Sequence, residues 1–405
     1  MRILYTVHGY KPAFRLGGPI ESVSSVAEIL VRRGHSVTVL TTNSNLDQDL
    51  EVPLDQAVDA DGVEVWYFQH EEPLKKWLPF LSYLSQSIGF LYAPRMAETL
   101  RRLVPRVDLV NTHMPFAYPT YAGARAARHA RRPLFYHQRG VFDPERLRFR
   151  SLKKNLYIRL IERPIMRQAT TLVALTEAEV ASYRALGVDT PCRVVPNGVD
   201  VRKYRTVAVS PPSVLRGIAP DAPVILFLGR LHPIKGVDRL VEAFSRVVAA
   251  FPEAVLVMAG PDEWGLVRRF REDVGGTGLG LRVVFPGMVS GEEKLDLLAR
   301  ANLFCLPSDG EGFSVAVLEA LASATAVLLS PGCHFPEVEA AGAGRVVAPT
   351  PTALADALGD LLSDRIRLRA MGERGRDLVA TRYSWDAVVD RLEEVYREGL
   401  ERARR

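Results

Sequence analysis

Two glutamates in the segment LPSDGEGFSVAVLEALA, at 306–322, are spaced as E-x7-E: Glu311 and Glu319. The segment predicts a strand, a D-G-E-G turn and a helix that begins near Ser314, whose first backbone N–H groups and dipole form an anion site. A carboxylate in the turn can accept hydrogen bonds from a sugar hydroxyl, and one on the helix can bind a ribose diol. Either glutamate alone is better explained as a solvated charge.

Two cations follow a buried strand in the segment FLGRLHPIKGVDRLVEAF, at 227–244. Arg230 and Lys235 lie in a short glycine-containing loop before a helix, where a guanidinium fork and a point charge suit a diphosphate. They could neutralise a departing nucleoside diphosphate without a metal. The pair alone is also explained by two exposed loop cations. The loop is not a P-loop, because G-x-x-x-x-G-K-[ST] is absent from the chain.

The first strand-to-helix turn contains adjacent glycines, Gly17 and Gly18, in FRLGGPIESV. Such a pair permits close backbone approach to a phosphate or a sugar, although a tight turn requires glycine as well. The G-x-G-x-x-G fingerprint is missing from this turn, which disfavours an NAD-dependent oxidoreductase.

The elements that must position these residues alternate between strands and helices, which predicts an α/β fold with parallel sheets. The alternation starts with RILYTV at 2–7 and restarts with VILFLG at 224–229. We therefore expect two Rossmann-like domains with a ligand in the cleft between them. The predicted domains are an N-terminal acceptor domain at 1–190 and a C-terminal donor domain at 191–384, and the closing helix at about 385–405 is expected to pack back on the first.

These segments, in this order, resemble the retaining nucleotide-sugar glycosyltransferases of glycosyltransferase family 4, which have the GT-B fold. The resemblance covers nearly the whole chain, and any one motif alone would be weak. It is carried by GGPIESVSSVAEILVRRGHSVTVLT, VVPNGVDVRKY, FLGRLHPIKG, LPSDGEGFSVAVLEAL and GCHFPEVEAAGAG.

The resemblance implies a role for each donor-site residue. Arg230 and Lys235 would hold the diphosphate of a nucleotide sugar, UDP- or GDP-linked. Glu319 would bind the ribose, and Glu311 a hydroxyl of the transferred sugar. The remaining donor-binding positions are the backbone N–H groups of Gly312, Phe313 and Ser314, and Gly17 with Gly18, which would close over the pocket from the first domain.

The family's chemistry retains the anomeric configuration, by front-side attack in which the donor phosphate takes the acceptor proton. A flanking carboxylate pair of the glycosidase type is then not required. We expect no cofactor and no metal, and we interpret the D-x-D pairs, Asp47/Asp49 and Asp59/Asp61, as solvated turn residues.

Three further residues are candidates at the reaction centre. His113 ends one predicted strand, and His137 and Arg139 end or follow the next, DLVNTH and PLFYHQRG. Arg139 stands where many family members have a histidine, and the lone His8 is a weaker fourth candidate. A single histidine is more often a packing residue than a catalytic one. A second departure from the family is Ala324 and Ala326, where relatives usually have Gly and Pro.

Three alternatives remain open from the residues. A GT-B sugar-nucleotide epimerase or a phosphorylase shares the two-domain cleft, although E-x7-E beside R-x4-K disfavours both. A non-catalytic nucleotide-sugar-binding subunit is disfavoured by the intact Glu311, Glu319, Arg230 and Lys235, but the departures at Arg139 and Ala324 favour it.

Composition and charge point to a globular protein and, weakly, to a membrane surface. The 405 residues are 47% hydrophobic and 24% charged, which excludes disorder, collagen and coiled coil. The net charge is only +5, yet residues 95–167 contain 17 basic and five acidic side chains. The basic stretch at 146–167 and the aromatic run at 77–92 are expected to contact anionic lipid near a glycan or lipid-linked acceptor, although a solvated helix explains the stretch equally well.

The same composition sets the expected location and partners. Three cysteines far apart, with no C-x-x-C pair, predict a reducing compartment and no structural zinc. The N-terminus predicts no secretory signal, and no run of 18 apolar residues occurs. We expect a cytoplasmic enzyme of polysaccharide or glycolipid assembly, peripheral at the inner face of the membrane, with no nucleic-acid partner.

Overall fold

The computed structural model describes residues 1–45, 48–71, 90–148, 151–204, 206–208, 210–262, 264–275 and 282–405. Its contacts divide the chain into two compact units, one of Met1–Pro196 with Val388–Arg405 and one of Asn197–Ala387. The sequence placed the corresponding boundaries at 190 and 384. The last helix begins in the second unit and is counted in the first from Val388 onwards.

The first unit alternates strands and helices around an eight-stranded sheet and has a separate two-stranded antiparallel sheet. Its strands are β1 (Arg2–Thr6), β2 (Ser36–Thr42), β3 (Ser44–Asn45), β4 (Gln48–Asp49), β5 (Ala57–Ala60), β6 (Val63–Phe68), β7 (Leu109–His113), β8 (Leu134–His137), β9 (Thr171–Ala174) and β10 (Cys192–Val194). Its helices are α1 (Gly18–Arg32), α2 (Pro94–Leu103), α3 (Tyr118–His129), α4 (Pro144–Arg148), α5 (Ser151–Tyr157), α6 (Arg163–Gln168) and α7 (Glu177–Ala185).

The first sheet has the order β10-β9-β8-β7-β1-β2-β6-β5, and every pair is parallel except β5 with β6. The chain runs outwards from β1 in one direction and from β7 in the other, so the strand order reverses between them. The crevice at the carboxyl ends of such a strand pair is where open α/β sheets bind ligands.

The second unit repeats this architecture with a fully parallel sheet of order β13-β12-β11-β14-β15-β16. Its strand order reverses between β11 and β14. The strands are β11 (Val224–Leu228), β12 (Val255–Ala259), β13 (Val283–Gly287), β14 (Leu303–Leu306), β15 (Ala326–Leu329) and β16 (Gly344–Val346). The helices are α8 (Val237–Val247), α9 (Leu266–Gly275), α10 (Gly291–Arg300), α11 (Val315–Ala322), α12 (Glu337–Ala340), α13 (Pro351–Leu362), α14 (Arg365–Arg382) and α15 (Trp385–Arg404).

The sequence patterns explain these elements. The central strands β11, β12 and β14 are continuous apolar runs that are buried almost throughout, as parallel strands covered on both faces require. The α/β fold class predicted from the alternation is confirmed.

The C-terminal helix α15 packs on the sheet of the first unit. The hydroxyl of Tyr396 lies 2.9 Å from that of Tyr5 and accepts a hydrogen bond from Asn111 Nδ2 at 2.5 Å. Gly399 allows the helix to approach closely, because a Cβ there would lie 2.4 Å from the ring of Phe135. The helix therefore completes the core of the first unit.

None of the helices that the structure describes is both long and apolar enough to cross a bilayer.

Candidate functional site

In the second unit, the loops that follow β11 and β14 are joined by hydrogen bonds at the point where the strand order reverses. The backbone N–H of Asp309 donates to the carbonyl of Ile234 at 2.8 Å, and the hydroxyl of Ser308 donates to the same carbonyl at 3.0 Å. Arg239 pairs with Asp309 at 2.9 Å and donates to the carbonyl of Pro307 at 3.0 Å. The two segments that the sequence singled out therefore form one fixed framework.

Gly236 permits this close approach. Its φ of +69° lies in the left-handed region, and a Cβ on it would lie 2.2 Å from the carbonyl oxygen of Pro307. The residue closes the turn that contains Lys235 and leads directly into α8. A side chain at this position would force the loop after β11 away from the loop after β14.

Lys235 and Glu311 form an ion pair in this framework. The ammonium Nζ of Lys235 lies 2.5 Å from Oε1 of Glu311, and the two side chains are only 12% and 5% exposed. The backbone N–H of Glu311 donates to the carbonyl of Gly332 at 2.9 Å, which fixes the turn. Buried charges require such pairing, so each residue neutralises the other here. Arg230 is exposed at the end of β11.

Contacts of Phe313 fix the turn that leads from Glu311 into α11. Asn197 donates to the carbonyl of Phe313 at 2.8 Å, and the ring of Phe313 packs against those of Phe335 and Tyr383, with centroids 4.7 and 5.4 Å apart. Ser314 is the N-cap of α11, although its side chain makes no capping hydrogen bond within the described chain. The helix begins where the sequence predicted, with Gly312 and Phe313 buried before it.

Glu319 lies on α11 and is 2% exposed. Its Oε1 accepts from the Nζ of Lys294 on α10 at 2.6 Å and from the hydroxyl of Tyr204 at 2.7 Å. Neither partner was assigned from the sequence. Tyr204 was quoted in a family motif without a role, and a single lysine in the helical stretch EEKLDLL has no distinguishing signal.

In the first unit, the candidate residues meet at the carboxyl edge of the sheet. His113 and His137 end β7 and β8 directly opposite each other in register, and their ring centroids are 4.5 Å apart. Arg139 follows two residues later with φ +52°. Its Nε donates to Nδ1 of His113 at 3.2 Å, and its Nη1 donates to the hydroxyl of Ser22 on α1 at 3.0 Å. The sequence did not single out Ser22.

The burial of this cluster changes its protonation. Burial is the main cause that lowers the pKa of His8 to about 4 and the pKa values of His113 and His137 well below 6.5. The nearby Arg139 guanidinium acts in the same direction, and its own pKa is lowered to about 10 by burial. The imidazoles are therefore neutral at neutral pH, beside a cation.

The contact with Arg139 also sets the tautomer of His113. A guanidinium can only donate, so Nδ1 of the neutral ring accepts and the proton resides on Nε2. This buried Nε2 has no hydrogen-bond partner within the described residues, and the same holds for Nε2 of His137. His113 thus presents a donor, and it cannot act as a base through Nε2.

The other positions singled out from the sequence are the two glycines and the aspartate pairs. Gly17 precedes α1 with φ +89°, and Gly18 is the first residue of that helix, followed by Pro19. Asp49, Asp59 and Asp61 are exposed, as predicted. Asp61 lies in a turn, whereas Asp49 and Asp59 lie in strands β4 and β5, so the expectation that these two are turn residues was wrong, and Asp47 lies outside the described residues. Among the side chains that the structure describes, no three His, Cys, Asp or Glu residues are grouped to hold a metal ion.

The basic stretch at 146–167 comprises the end of α4, then α5, one π-helical turn (Ile158–Glu162) and α6, and residues 149–150 lie outside the described residues. Leu156 and Leu160 are 58% and 60% exposed on one face, beside the exposed Arg159. On the opposite face Glu162 is buried, accepting from the backbone N–H of Phe116 at 2.7 Å and from Tyr136 at 2.6 Å. Most of the run at 77–92 lies outside the described residues.

Family models match both units of the chain. A model described as glycosyl transferase 4-like domain matches residues 17–198, and one described as glycosyl transferases group 1 matches residues 216–378. Together they cover most of the sequence.

Two curated relatives illustrate the sequence similarity. The chain is 31% identical over 242 residues to a GDP-mannose-dependent monoacylated alpha-(1-6)-phosphatidylinositol monomannoside mannosyltransferase of Corynebacterium glutamicum, covering 54% of this chain and 62% of the relative. It is 34% identical over 248 residues to a D-inositol 3-phosphate glycosyltransferase of Nocardia farcinica, covering 59% and 55%. The matches thus span little more than half of each relative's length.

Solved structures show the same fold over the whole chain. Sucrose-phosphate synthase from Thermosynechococcus elongatus has a TM-score of 0.75 at 21% identity and covers 98% of both chains. Anabaena HepE in complex with UDP-glucose has a TM-score of 0.73 at 20% identity, covering 98% of this chain and all of the other.

Proposed function

The chain belongs to glycosyltransferase family 4 and has the GT-B fold, and from this premise we propose that it transfers a sugar from a nucleotide diphosphate to an acceptor hydroxyl with retention of configuration. The observation that carries the proposal is the Lys235–Glu311 ion pair at the reversal of strand order in the second unit. The pair supports the proposal because a cation that can bind a diphosphate and a carboxylate that can bind a sugar hydroxyl lie within hydrogen-bond distance of each other.

In the proposed donor site, Arg230 and Lys235 bind the diphosphate, and the backbone N–H groups at the start of α11 add their dipoles. Glu311 accepts a hydrogen bond from a hydroxyl of the transferred sugar. Glu319 binds the ribose. The HepE complex with UDP-glucose and the name of the Corynebacterium relative, which specifies GDP-mannose, support a UDP- or GDP-sugar as donor.

The proposed reaction breaks the bond between the anomeric carbon and the phosphate oxygen while the acceptor oxygen bonds to the same carbon from the same face. The acceptor proton moves to the departing phosphate, so no side chain is needed as the base. The His113 tautomer supports this route, because its Nε2–H can only donate. Arg230 and Lys235 stabilise the negative charge that develops on the leaving group, and we propose that no metal takes part.

We propose that the first unit binds the acceptor, with His113, His137 and Arg139 as its polar contacts. The names of two curated relatives mention phosphatidylinositol or its monomannoside, which supports a glycan or lipid-linked acceptor for this chain.

We further propose that the protein is cytoplasmic and binds peripherally to the inner face of an anionic membrane. The supporting surface consists of Leu156, Arg159 and Leu160 on the exposed face of α5 and the π-helical turn. Apolar side chains beside a cation match the interface of an anionic leaflet. The expected contribution of residues 72–89 lies outside the described residues.

The test is turnover of a panel of UDP-, GDP- and ADP-sugars, with hydrolysis and transfer followed separately. We expect one donor to turn over, the product to keep the donor's anomeric configuration in its NMR coupling constants, and the rate to be unchanged by EDTA. A non-catalytic subunit would bind a donor without turnover. Absence of binding to every nucleotide sugar would contradict the proposed function itself.

A further inference from the structure

The carboxylate of Glu319 is held from one side only. Both of its side-chain hydrogen bonds, from Lys294 and from Tyr204, end on Oε1. Within the part of the chain that the structure describes, Oε2 accepts no hydrogen bond, and it is not among the fully buried atoms that lack a partner. One oxygen is therefore fixed by the protein, and the other is available to a ligand.

The two partners are themselves held in place. Arg376 on α14 donates to the carbonyls of Tyr204 at 3.2 Å and Val201 at 3.4 Å, and it also bonds the carbonyl of Ala322 at the end of α11. The segment that carries Tyr204 is thus tied to the helix that carries Glu319. Lys294 reaches the carboxylate from α10, which packs on α11, and its side chain is 25% exposed.

The burial of Glu319 requires these partners. The carboxylate lies on a helix whose other residues are apolar, VAVLEALA, and an unpaired charge there would be strongly destabilising. A structural ion pair would be satisfied equally well by bonds to both oxygens. Both donors lie on Oε1 instead, so within the described residues Oε2 keeps its capacity to accept a hydrogen bond, and the partly exposed ammonium of Lys294 belongs to the same carboxylate contact.

We propose that Lys294 and Tyr204 are positioning residues that make the donor site selective for ribonucleotides over deoxyribonucleotides. The proposal rests on the proposed function, in which Glu319 binds the ribose. A ribose hydroxyl donates to Oε2 of Glu319 and accepts from the ammonium of Lys294, whereas a deoxy carbon can do neither. A site built to bond a hydroxyl discriminates strongly against the analogue that lacks it, since its polar groups are then left unpaired.

The test measures dissociation constants by calorimetry for UDP, GDP and their 2′-deoxy and 3′-deoxy analogues. We expect the unaltered protein to bind the ribonucleotide about ten- to a hundredfold more tightly than at least one deoxy analogue, the value of a hydrogen bond to a charged group. In Lys294→Met the affinity for the ribonucleotide falls to that of this analogue, and the affinity for the analogue itself stays unchanged.

Further variants keep the outcome interpretable. Tyr204→Phe removes one bond to Oε1 and is expected to reduce the ratio by a smaller factor, and Lys294→Arg is expected to preserve it. If the single lysine variant does not fold, the double variant Lys294→Met/Glu319→Gln, which leaves no buried charge, is compared with Glu319→Gln alone, so that the difference between the two ratios reports the contribution of Lys294. Arg345→Met is the matched control, because Arg345 pairs with Asp360 at 2.9 Å on the exposed surface of the same unit.

The outcomes separate this inference from the proposed function. An equal loss of affinity for ribose and deoxyribose forms in the folded variants would show a purely structural role and overturn the inference alone. An equal affinity of the unaltered protein for the ribose and deoxyribose forms would also overturn the inference and leave the proposed function intact. If neither UDP nor GDP bound the unaltered protein, the proposed function would fail and the inference with it.

Discussion

The Nζ of Lys235 and the Oε1 of Glu311 lie 2.5 Å apart, although the two residues are 76 positions apart in sequence. The group proposed to bind the diphosphate therefore neutralises the group proposed to bind the sugar. When a donor binds, the phosphates compete with Glu311 for the ammonium, and the sugar hydroxyl competes with Lys235 for the carboxylate. The two residues should therefore act as a unit.

The first prediction concerns this coupling. Lys235→Met is expected to lower kcat/KM by about 10²–10³-fold. This is the cost of losing one hydrogen-bond donor that stabilises the charge on the leaving diphosphate. Glu311→Gln should lower it as well, and the double variant should lose less than the product of the two single losses, because each single change leaves a buried charge unpaired. Steady-state kinetics of donor transfer measure all three. Glu242→Gln with Arg246→Met, an exposed pair on α8 at 2.6 Å, is the matched control and should be additive.

The second prediction concerns the first unit, which is proposed to bind the acceptor. Arg139→Met removes the donor that holds His113 in its Nε2–H form, so both tautomers of the imidazole become populated. We expect kcat to fall by about tenfold, the value of one hydrogen bond to the acceptor, with the KM for the nucleotide sugar unchanged. Long-range ¹H–¹⁵N spectra of the histidines report the tautomer directly. A single Nε2–H form in both proteins, or a rise in donor KM alone, would refute the positioning role.

The third prediction concerns the membrane surface. Leu156→Ser with Leu160→Ser should reduce co-sedimentation with anionic vesicles, and Arg159→Gln should weaken binding by about 1 kcal/mol, the contribution of one cation near the surface. Neutral vesicles should bind less protein than anionic ones. Ile366→Ser removes an apolar side chain that is 85% exposed in the second unit and serves as the control. Equal binding of the unaltered protein to neutral and anionic vesicles, or none, would exclude the proposal.

The sequence predicted the ends of elements better than the contacts between them. Periodicity and the D-G-E-G turn placed the start of α11 at Ser314, and the parallel strand pattern brought His113 and His137 to one edge. Both follow from local patterns and from the geometry of parallel sheets. The partners of Glu319 were missed because they come from separate elements, and nothing local distinguishes a lysine that folds onto a buried carboxylate from one that is solvated.

The fourth prediction is a pH dependence of stability. Burial raises the pKa of Glu162 from 4.5 to about 7 in the folded chain, even though Tyr136 and the Phe116 N–H act to lower it. The folded protein thus binds this proton more tightly than the unfolded chain. The tighter binding of this proton contributes about 3 kcal/mol to the free energy of unfolding. This contribution is fully present below about pH 4.5, falls as the pH rises, and is lost above about pH 7.

Glu162→Gln removes this titration and keeps the shape of the side chain. The free energy of unfolding in urea, measured from pH 5 to pH 7.5, should therefore fall less in the variant than in the unaltered protein. His8 and His113 contribute the opposite trend at lower pH, since their pKa values are lowered, but they are common to both proteins and cancel in the difference. Glu98→Gln, at an exposed position on α2, is the control. Parallel pH profiles for all three proteins would contradict the prediction.

The fifth prediction concerns Ala324, which ends α11 in a left-handed conformation with φ +57°. The N–H of Thr325 bonds the carbonyl of Ala320 and the N–H of Ala324 bonds that of Leu321, both at 3.0 Å, which is a Schellman motif with alanine in the position that favours glycine. A left-handed L-residue costs about 1–2 kcal/mol, and glycine loses about 0.5–1 kcal/mol of backbone entropy on folding. Ala324→Gly should therefore stabilise the second unit by up to about 1 kcal/mol.

Thermal and urea unfolding of the full chain measure this change. Ala355→Gly, in the interior of α13, is the matched control and should destabilise by about 1 kcal/mol, because glycine there gains no favourable backbone conformation. Activity should be unchanged in Ala324→Gly, since the substitution alters the end of α11 and leaves Glu319 with both of its partners. Equal destabilisation by the two glycines would show that the end of α11 does not require the left-handed conformation.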